Sequence, residues 1–413
     1  MKNNKLILPI FLAFAFSFQS VYSQSGWFQQ ASPTSNPFAD VFMIDSLNGW
    51  LVGPFDTLFY TSNSGTNWYG SPTGGPNGLL SAYFININTG WAVGVDGTII
   101  KTTNAGGYWF IQPTGLFWWL TWVFFVNQTS GWVTGQTGTI LYTTNAGNNW
   151  LQQTSGVTSY LNSASFINFN TGWISGDNGI ILKTTNAGMN WLPQTSGTNK
   201  RLYEIFFIDE NSGWATGFYP GNGIIISTTD GGLNWITQFQ GFNELDAVFF
   251  VTPLKGWVVG SPGVILYTTD GGSNWNQQNS GITNSLYSVN FISDNTGWAV
   301  GTQGKILKTT TGGLIVGQKI YSSKIPKEFQ LYSNYPNPFN PITTISFDLP
   351  RKEFISINIY NMLGKKVDIL MNEFKSAGKY SITWDGSEFS SGIYFCTLNA
   401  GSYKKTLKIV LSK

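Results

Sequence analysis

Tryptophan recurs along this chain at a fixed period. Gly-Trp pairs supply Trp50, Trp91, Trp132, Trp173, Trp214, Trp257 and Trp298, in steps of 41, 41, 41, 41, 43 and 41. A second series runs 27, 68, 109, 150, 191, 235 and 275, and the two series hold fourteen of the eighteen tryptophans. A period in this range means an array of supersecondary units. The unit from Leu120 to Ser155 reads as four short strands, LTWVFFVNQ, GWVTG, GTILYTT and NWLQQTS, separated by Gly-rich turns. Four short strands per unit is the signature of a propeller blade. The Trp of each Gly-Trp pair is read as a structural repeat residue.

Each unit carries an apolar code ahead of its Gly-Trp. Six residues before the glycine stand Met43, Phe84, Phe125, Phe166, Phe207, Phe250 and Phe291; eight before stand Val41, Ala82, Val123, Ala164, Ile205, Val248 and Val289. Even spacing puts both on one face of a strand, which should pack blade onto blade. The two Trp series are out of phase. The last unit ends TTTGGLIVG without a strand-four Trp, while the early segment GWFQQASP from Gly26 matches strand four elsewhere. The chain therefore predicts an all-β, seven-bladed propeller over residues 24–317, with Trp27 in a strand that completes blade seven. Such closure removes the edges an open array would expose.

The turn before the strand-four Trp repeats as well: TTDGGLNW ends at Trp235, TTDGGSNW at Trp275, TTNAGMNW at Trp191 and TTNAGNNW at Trp150. Asp230 and Asp270, or Asn in other units, are read as turn formers, because a short Asx side chain binds nearby backbone amides. The following glycines, Gly232 and Gly272 among them, should supply φ > 0. The pattern resembles the Asp-box, or bacterial neuraminidase repeat, complete in units five and six and relaxed to Asn in one to four. The whole array is similar to the photosystem II stability/assembly factor family of seven-bladed propellers. That resemblance implies a non-enzymatic scaffold that binds other proteins. The family's basic binding patch has no counterpart here.

Charge and composition narrow the function classes. Residues 24–317 hold seven Lys/Arg against thirteen Asp/Glu, net −6, and residues 318–413 hold thirteen against seven, net +6. An acidic body is a poor nucleic-acid partner. There is no His, which removes a Ser-His-Asp nucleophile, and Cys396 is the single cysteine. No His/Cys metal set can be assembled and no cofactor is expected. Cys396, in an alternating apolar run, is read as a buried inert thiol. Lys2 and Lys5, the apolar run Leu6 to Phe18 and Val21-Tyr22-Ser23 read as a signal peptide over 1–23, cleaved before Gln24. The apolar run is short for a membrane span. No membrane span is expected after cleavage, and the destination is the cell exterior or outer surface by way of the periplasm.

Past a polar linker at 318–330 the composition changes. Period-2 runs at 355–360, 381–384 and 392–398, with a hairpin turn at Asn361-Met362-Leu363-Gly364, suggest a small immunoglobulin-like sandwich over 331–413. Pro336-Asn337-Pro338-Phe339-Asn340-Pro341, Trp384-Asp385-Gly386 and Ser391-Gly392-Ile393-Tyr394-Phe395 occur in that order. They resemble the type A sorting domain of the type IX secretion system. The resemblance implies the type IX secretion machinery as a partner and a Bacteroidetes-type bacterium as the source. The other reading of this segment is a carbohydrate-binding or spacer sandwich.

Candidate binding residues lie outside the repeat code. Phe117, Trp118 and Trp119 precede one inner strand, and Tyr160, Arg201, Tyr203, Phe218, Tyr219 and Phe242 fall on nearby blades. They are read as an aromatic arc on blades three to six that recognises a surface protein or a glycan. The alternative is that Trp118, Trp119 and Trp122 plug the central channel. A sialidase is excluded because that family clamps its substrate with three arginines, and this propeller has only Arg201. A glycoside hydrolase needs two carboxylates. Asp56, Asp96 and Asp177 are read as sharing one loop position, with turn formation favoured over catalysis.

Overall fold

The computed structural model describes residues 26–54, 57–71, 78–219, 221–241, 243–314 and 326–412. The signal-peptide segment 1–23, Asp56 and Phe242 lie outside the described residues, as does most of the linker. Seven antiparallel four-stranded sheets follow one another along the chain. Blade three is typical: Leu120–Phe125, Gly131–Gly135, Ile140–Thr143 and Leu151–Gln153, in that order from the inner strand outwards. The other inner strands are Asp40–Met43, Leu79–Phe84, Leu161–Phe166, Arg201–Phe207, Glu244–Phe250 and Leu286–Phe291. Each touches the inner strand of the next blade, and the first touches the last, so they form a ring around a central channel. The seventh sheet is drawn from both ends of the array, because Gly26–Gln29 pairs with Ile306–Gly313.

The apolar code works between blades. Phe84 stacks on Trp50 of the preceding blade at 3.4 Å and takes the edge of Trp109 from its own. Phe125 does the same with Trp91 and Trp150, Phe207 with Trp173 and Trp235, and Phe291 with Trp257 and Trp27. Phe166 stacks on Trp132 at 4.0 Å, and Phe250 on Trp214 at 3.5 Å. Stacked and edge-on rings gain energy beyond their buried area. Trp298 is the exception, because blade one offers Met43 in place of a phenylalanine. It is fully buried in one core with Met43 and Trp68, so the thioether fills the place of the stacked ring. This packing also explains the glycine of each Gly-Trp pair: a Cβ on Gly131 would lie 2.6 Å from the Phe125 ring.

The repeat is less uniform in its hydrogen bonds than in its packing. Five Gly-Trp indoles donate to a carbonyl in the strand-three-to-four turn of the next blade, as Trp91 does to Ala146 at 3.2 Å and Trp214 to Gly271 at 3.1 Å. Trp132 and Trp298 depart from this pattern: their indole nitrogens are buried without a hydrogen-bond partner. The carbonyls at the matching turn positions, Ala187 and Ser64, accept instead from Gln153 Nε2 and Gln30 Nε2. In the turns themselves, Asp230 Oδ1 accepts from Thr228 Oγ1 and Asn234 N, at 2.8 and 2.9 Å. Asp270 Oδ1 accepts in the same way from Thr268 Oγ1 and Asn274 N. Gly232 has φ +93°.

The C-terminal unit is a sandwich. One sheet orders Gln330–Leu331, Ile342–Leu349 and Gly378–Asp385; the other orders Lys366–Lys375, Glu353–Asn361, Gly392–Ala400 and Tyr403–Leu411. Ile345, Phe347 and Trp384 from the first meet Ile357, Cys396 and Ile409 from the second in one core. Burial pushes the Cys396 thiol up to about 12. Several motif residues are structural here. Asn337 bonds the backbone of Lys408 and Val410, Trp384 is buried and donates to Asp368, and Tyr394 donates to the Ser390 carbonyl. Pro336 accepts from Thr343, Gly386 N donates to Pro341, and Asp385 accepts from Ser387 N. Pro338 lies between Asn337 and Phe339, and Gly392 begins a strand.

Candidate binding face of the propeller

One face of the ring carries the turns between strands two and three and the segments that enter the inner strands. On blade three, Phe117 is 84% exposed and Trp119 47%. Trp118 is half-buried, and its indole donates to Thr139 Oγ1 at 2.7 Å. Trp122, on the inner strand, packs against the core between blades three and four. Tyr160 and Tyr219 are exposed, while Phe218 is half-buried and pairs across the sheet with Arg201.

Two groups of side-chain contacts cross these four blades, linked by the backbone bond from Asp177 N to the Tyr160 carbonyl. Trp119 N donates to Gln136 Oε1, and Gln136 Nε2 donates to the Tyr160 hydroxyl. Asp177 of blade four grips Arg201 of blade five with both oxygens, at 2.7 and 2.8 Å. Arg201 lies over the Tyr203 ring, and Tyr203 donates to Glu244 of blade six at 2.7 Å. A bidentate pair and charge-assisted bonds of this kind fix side chains in place.

Asp96 and Asp177 occupy adjacent turn positions, not one shared position. Asp177 N donates to the Tyr160 carbonyl as Val95 N does to that of Gly78. Asp96, with φ +53°, instead matches Asn178 at +61°. The two turns space their glycines equally, Gly94 to Gly97 and Gly176 to Gly179, but Asp96 directly precedes its second glycine whereas Asp177 directly follows its first. Asp177 is also bonded to Asn162 at 3.0 Å, which leaves it bound into the rim.

Acids on the inner strands escaped the sequence reading. Asp40 is buried, accepts from Ala82 N and Ser288 Oγ, and its carboxyl is raised by desolvation. Glu204 accepts from Val248 N at 2.8 Å and is raised well above the carboxylate range, chiefly by desolvation. Asp246 is pushed up to about 8 by desolvation and the nearby Glu244. These residues appear singly, so repeat analysis gives no signal for them beyond a charge in an apolar strand.

Among the described residues no helix is long and apolar enough to cross a membrane, and no acidic, His or Cys group is placed to hold a metal. Residues 118–196 and 191–281 match the family described as Photosynthesis system II assembly factor YCF48. Residues 333–412 match the secretion system C-terminal sorting domain, which marks the chain for type IX export to the cell surface or beyond. Among solved structures, YCF48 bound to D1 peptide is similar at 22% identity and TM-score 0.60, over 70% of this chain and 98% of that one. YCF48 from Cyanidioschyzon merolae follows at 19% and 0.56, over 68% and 98%. The WD40 β-propeller domain of Doa1 is similar at 12% and 0.55, over 68% and 96%. No curated protein matches. Likenesses this distant carry the fold alone.

Proposed function

From a YCF48-like propeller joined to a secretion-system sorting domain, we propose a non-catalytic binding protein that works outside the cell. Its partner is a surface protein, held on the rim of blades three to six. The observation that carries this reading is the pair of bonded groups on the rim, Gln136 with Tyr160 and Asp177 with Arg201, Tyr203 and Glu244, which occupy one another's polar atoms and leave Phe117, Trp119, Tyr160 and Tyr219 exposed. Rigid exposed aromatics are the usual anchors of recognition. The YCF48 relative solved with a D1 peptide supports a polypeptide partner.

The test is an array of surface proteins and glycans probed with the purified chain. Replacing Phe117 and Trp119 together by Ala should weaken protein capture by about 2 kcal/mol or more without changing the melting curve. Binding to glycans alone would move the partner to sugars. Release of reducing sugar by the chain, lost in Asp96→Asn or Asp177→Asn, would overturn the non-catalytic reading.

A further inference from the structure

The inner strands hold acids that the repeat does not require. Asp40 and Glu204 stand where other blades have Ser81, Ser163 and Ser288. Blades one and five are not neighbours in a seven-membered ring, yet the charge of Asp40 raises Glu204. Both stand nine residues before a Gly-Trp glycine, at one register position of inner strands on opposite sides of the central channel. Asp246 acts on Glu204 as well, and Glu244 acts on Asp246.

Two of these acids have a structural use. Asp40 caps Ala82 N and Glu204 caps Val248 N, each on the inner edge strand of the following blade. Asp246 has no such use: its Oδ2 is fully buried and without a hydrogen-bond partner. An orphaned buried carboxyl is costly and requires an explanation. Asp246 is the extra residue of a β-bulge, the register skipping it between Leu245 and Ala247. A bulge re-aims its side chain out of the sheet's alternation. On the flanking blades the bulge residues are Tyr203 and Tyr287, and Tyr287 feels the charge of both Asp246 and Glu244.

We propose that this channel mouth receives a lysine ammonium or arginine guanidinium from the protein partner, a proposal that rests on the rim reading above. Carboxyls flanked by aromatic rings suit a cation through charge-assisted hydrogen bonds and ring-face attraction. The propeller's net −6 steers a basic segment toward it. Arg201 does not compete, because Asp177 already neutralises it. The groups around Asp246 are Glu244 on its own strand, Glu204, Tyr203 and Arg201 on blade five, Tyr287 on blade seven and Asp40 across the channel. A protonated carboxyl here gives its proton to the buffer as the cation enters, so binding tightens as pH rises toward about 8.

Calorimetric titration of the full chain with octalysine, octaglutamate and calcium chloride tests this. Octalysine should bind and octaglutamate should not, with a heat that depends on the buffer because a proton is released. Asp246→Asn, which keeps shape and breaks no hydrogen bond, should weaken octalysine binding about tenfold or more and abolish its pH dependence. Unchanged affinity in both Asp246→Asn and Glu204→Gln, with melting curves intact, would overturn the proposal. Calcium binding with the same residue dependence would also overturn it, by giving the acids to a metal. No octalysine binding with array capture intact would remove this inference alone; octalysine binding with no protein capture would remove the rim reading alone.

Discussion

At the scale of single residues, the ring is held by a few side chains used repeatedly. In six of the seven blades, the phenylalanine six residues before the Gly-Trp glycine needs a flat partner behind it, an edge-on partner beside it and no Cβ on that glycine. All three needs were legible, because each recurs at fixed spacing. The channel acids were not. Asp40, Glu204 and Asp246 each occur in a single blade, and only ring closure sets blade one opposite blade five. These acids also yield a prediction. Their carboxyls are raised in the folded state, Asp246 to about 8, against roughly 4 in an unfolded chain. A raised pKa contributes stability that is fully present below the unfolded value and is lost as pH rises through the folded one. The melting temperature should therefore fall as pH rises from roughly 4 to about 8, and Asp246→Asn should flatten that fall. An identical slope in the variant would show that Asp246 is not the titrating group.

At the scale of elements, the seam in blade seven is the place where covalent continuity is replaced by packing. The strand Gly26–Gln29 is short, yet Trp27 is 2% exposed, packs edge-on against Phe291 and donates to Gln278 at 2.8 Å. Gln278 in turn donates to the Gly312 carbonyl, so the first and last segments share one bonded turn. The same stitch recurs as Gln30 to Ser64, Gln153 to Ala187 and Gln238 to Gly271. Those glutamines stand three residues after a strand-four Trp, a spacing visible in the sequence but read there only as part of the strand. Terminal segments usually tolerate change. Here Trp27→Ala should cost about 3–5 kcal/mol, as for other large aromatic truncations in cores, measured by urea unfolding of the full chain. A midpoint equal to wild type would mean that the seam does not hold the ring.

At the scale of the whole molecule, two cores share one chain. The sandwich core runs from Leu331 to Leu411 and takes nothing from the propeller, whose clusters lie between Trp27 and Leu314. Separate cores predict separate folding. Deleting 331–413 should therefore leave a propeller that melts normally yet stays in the periplasm, because the sorting domain is gone. A second variant separates loss of the domain from loss of its fold. Trp384 is 1% exposed, contacts Phe339, Phe389 and Tyr394, and donates to Asp368. Trp384→Ala should cost the sandwich about 3–5 kcal/mol, enough to unfold a small domain of ordinary stability. The full-length variant should then be retained like the truncation, although most of its motif sequence is intact. Fractionation of cells into periplasm, surface and medium, with protease treatment of whole cells, reads both outcomes. If Trp384→Ala were exported normally while its sandwich was protease-sensitive, the machinery would be reading a linear motif. If the truncated chain reached the exterior at the wild-type level, residues 331–413 would not be the export signal.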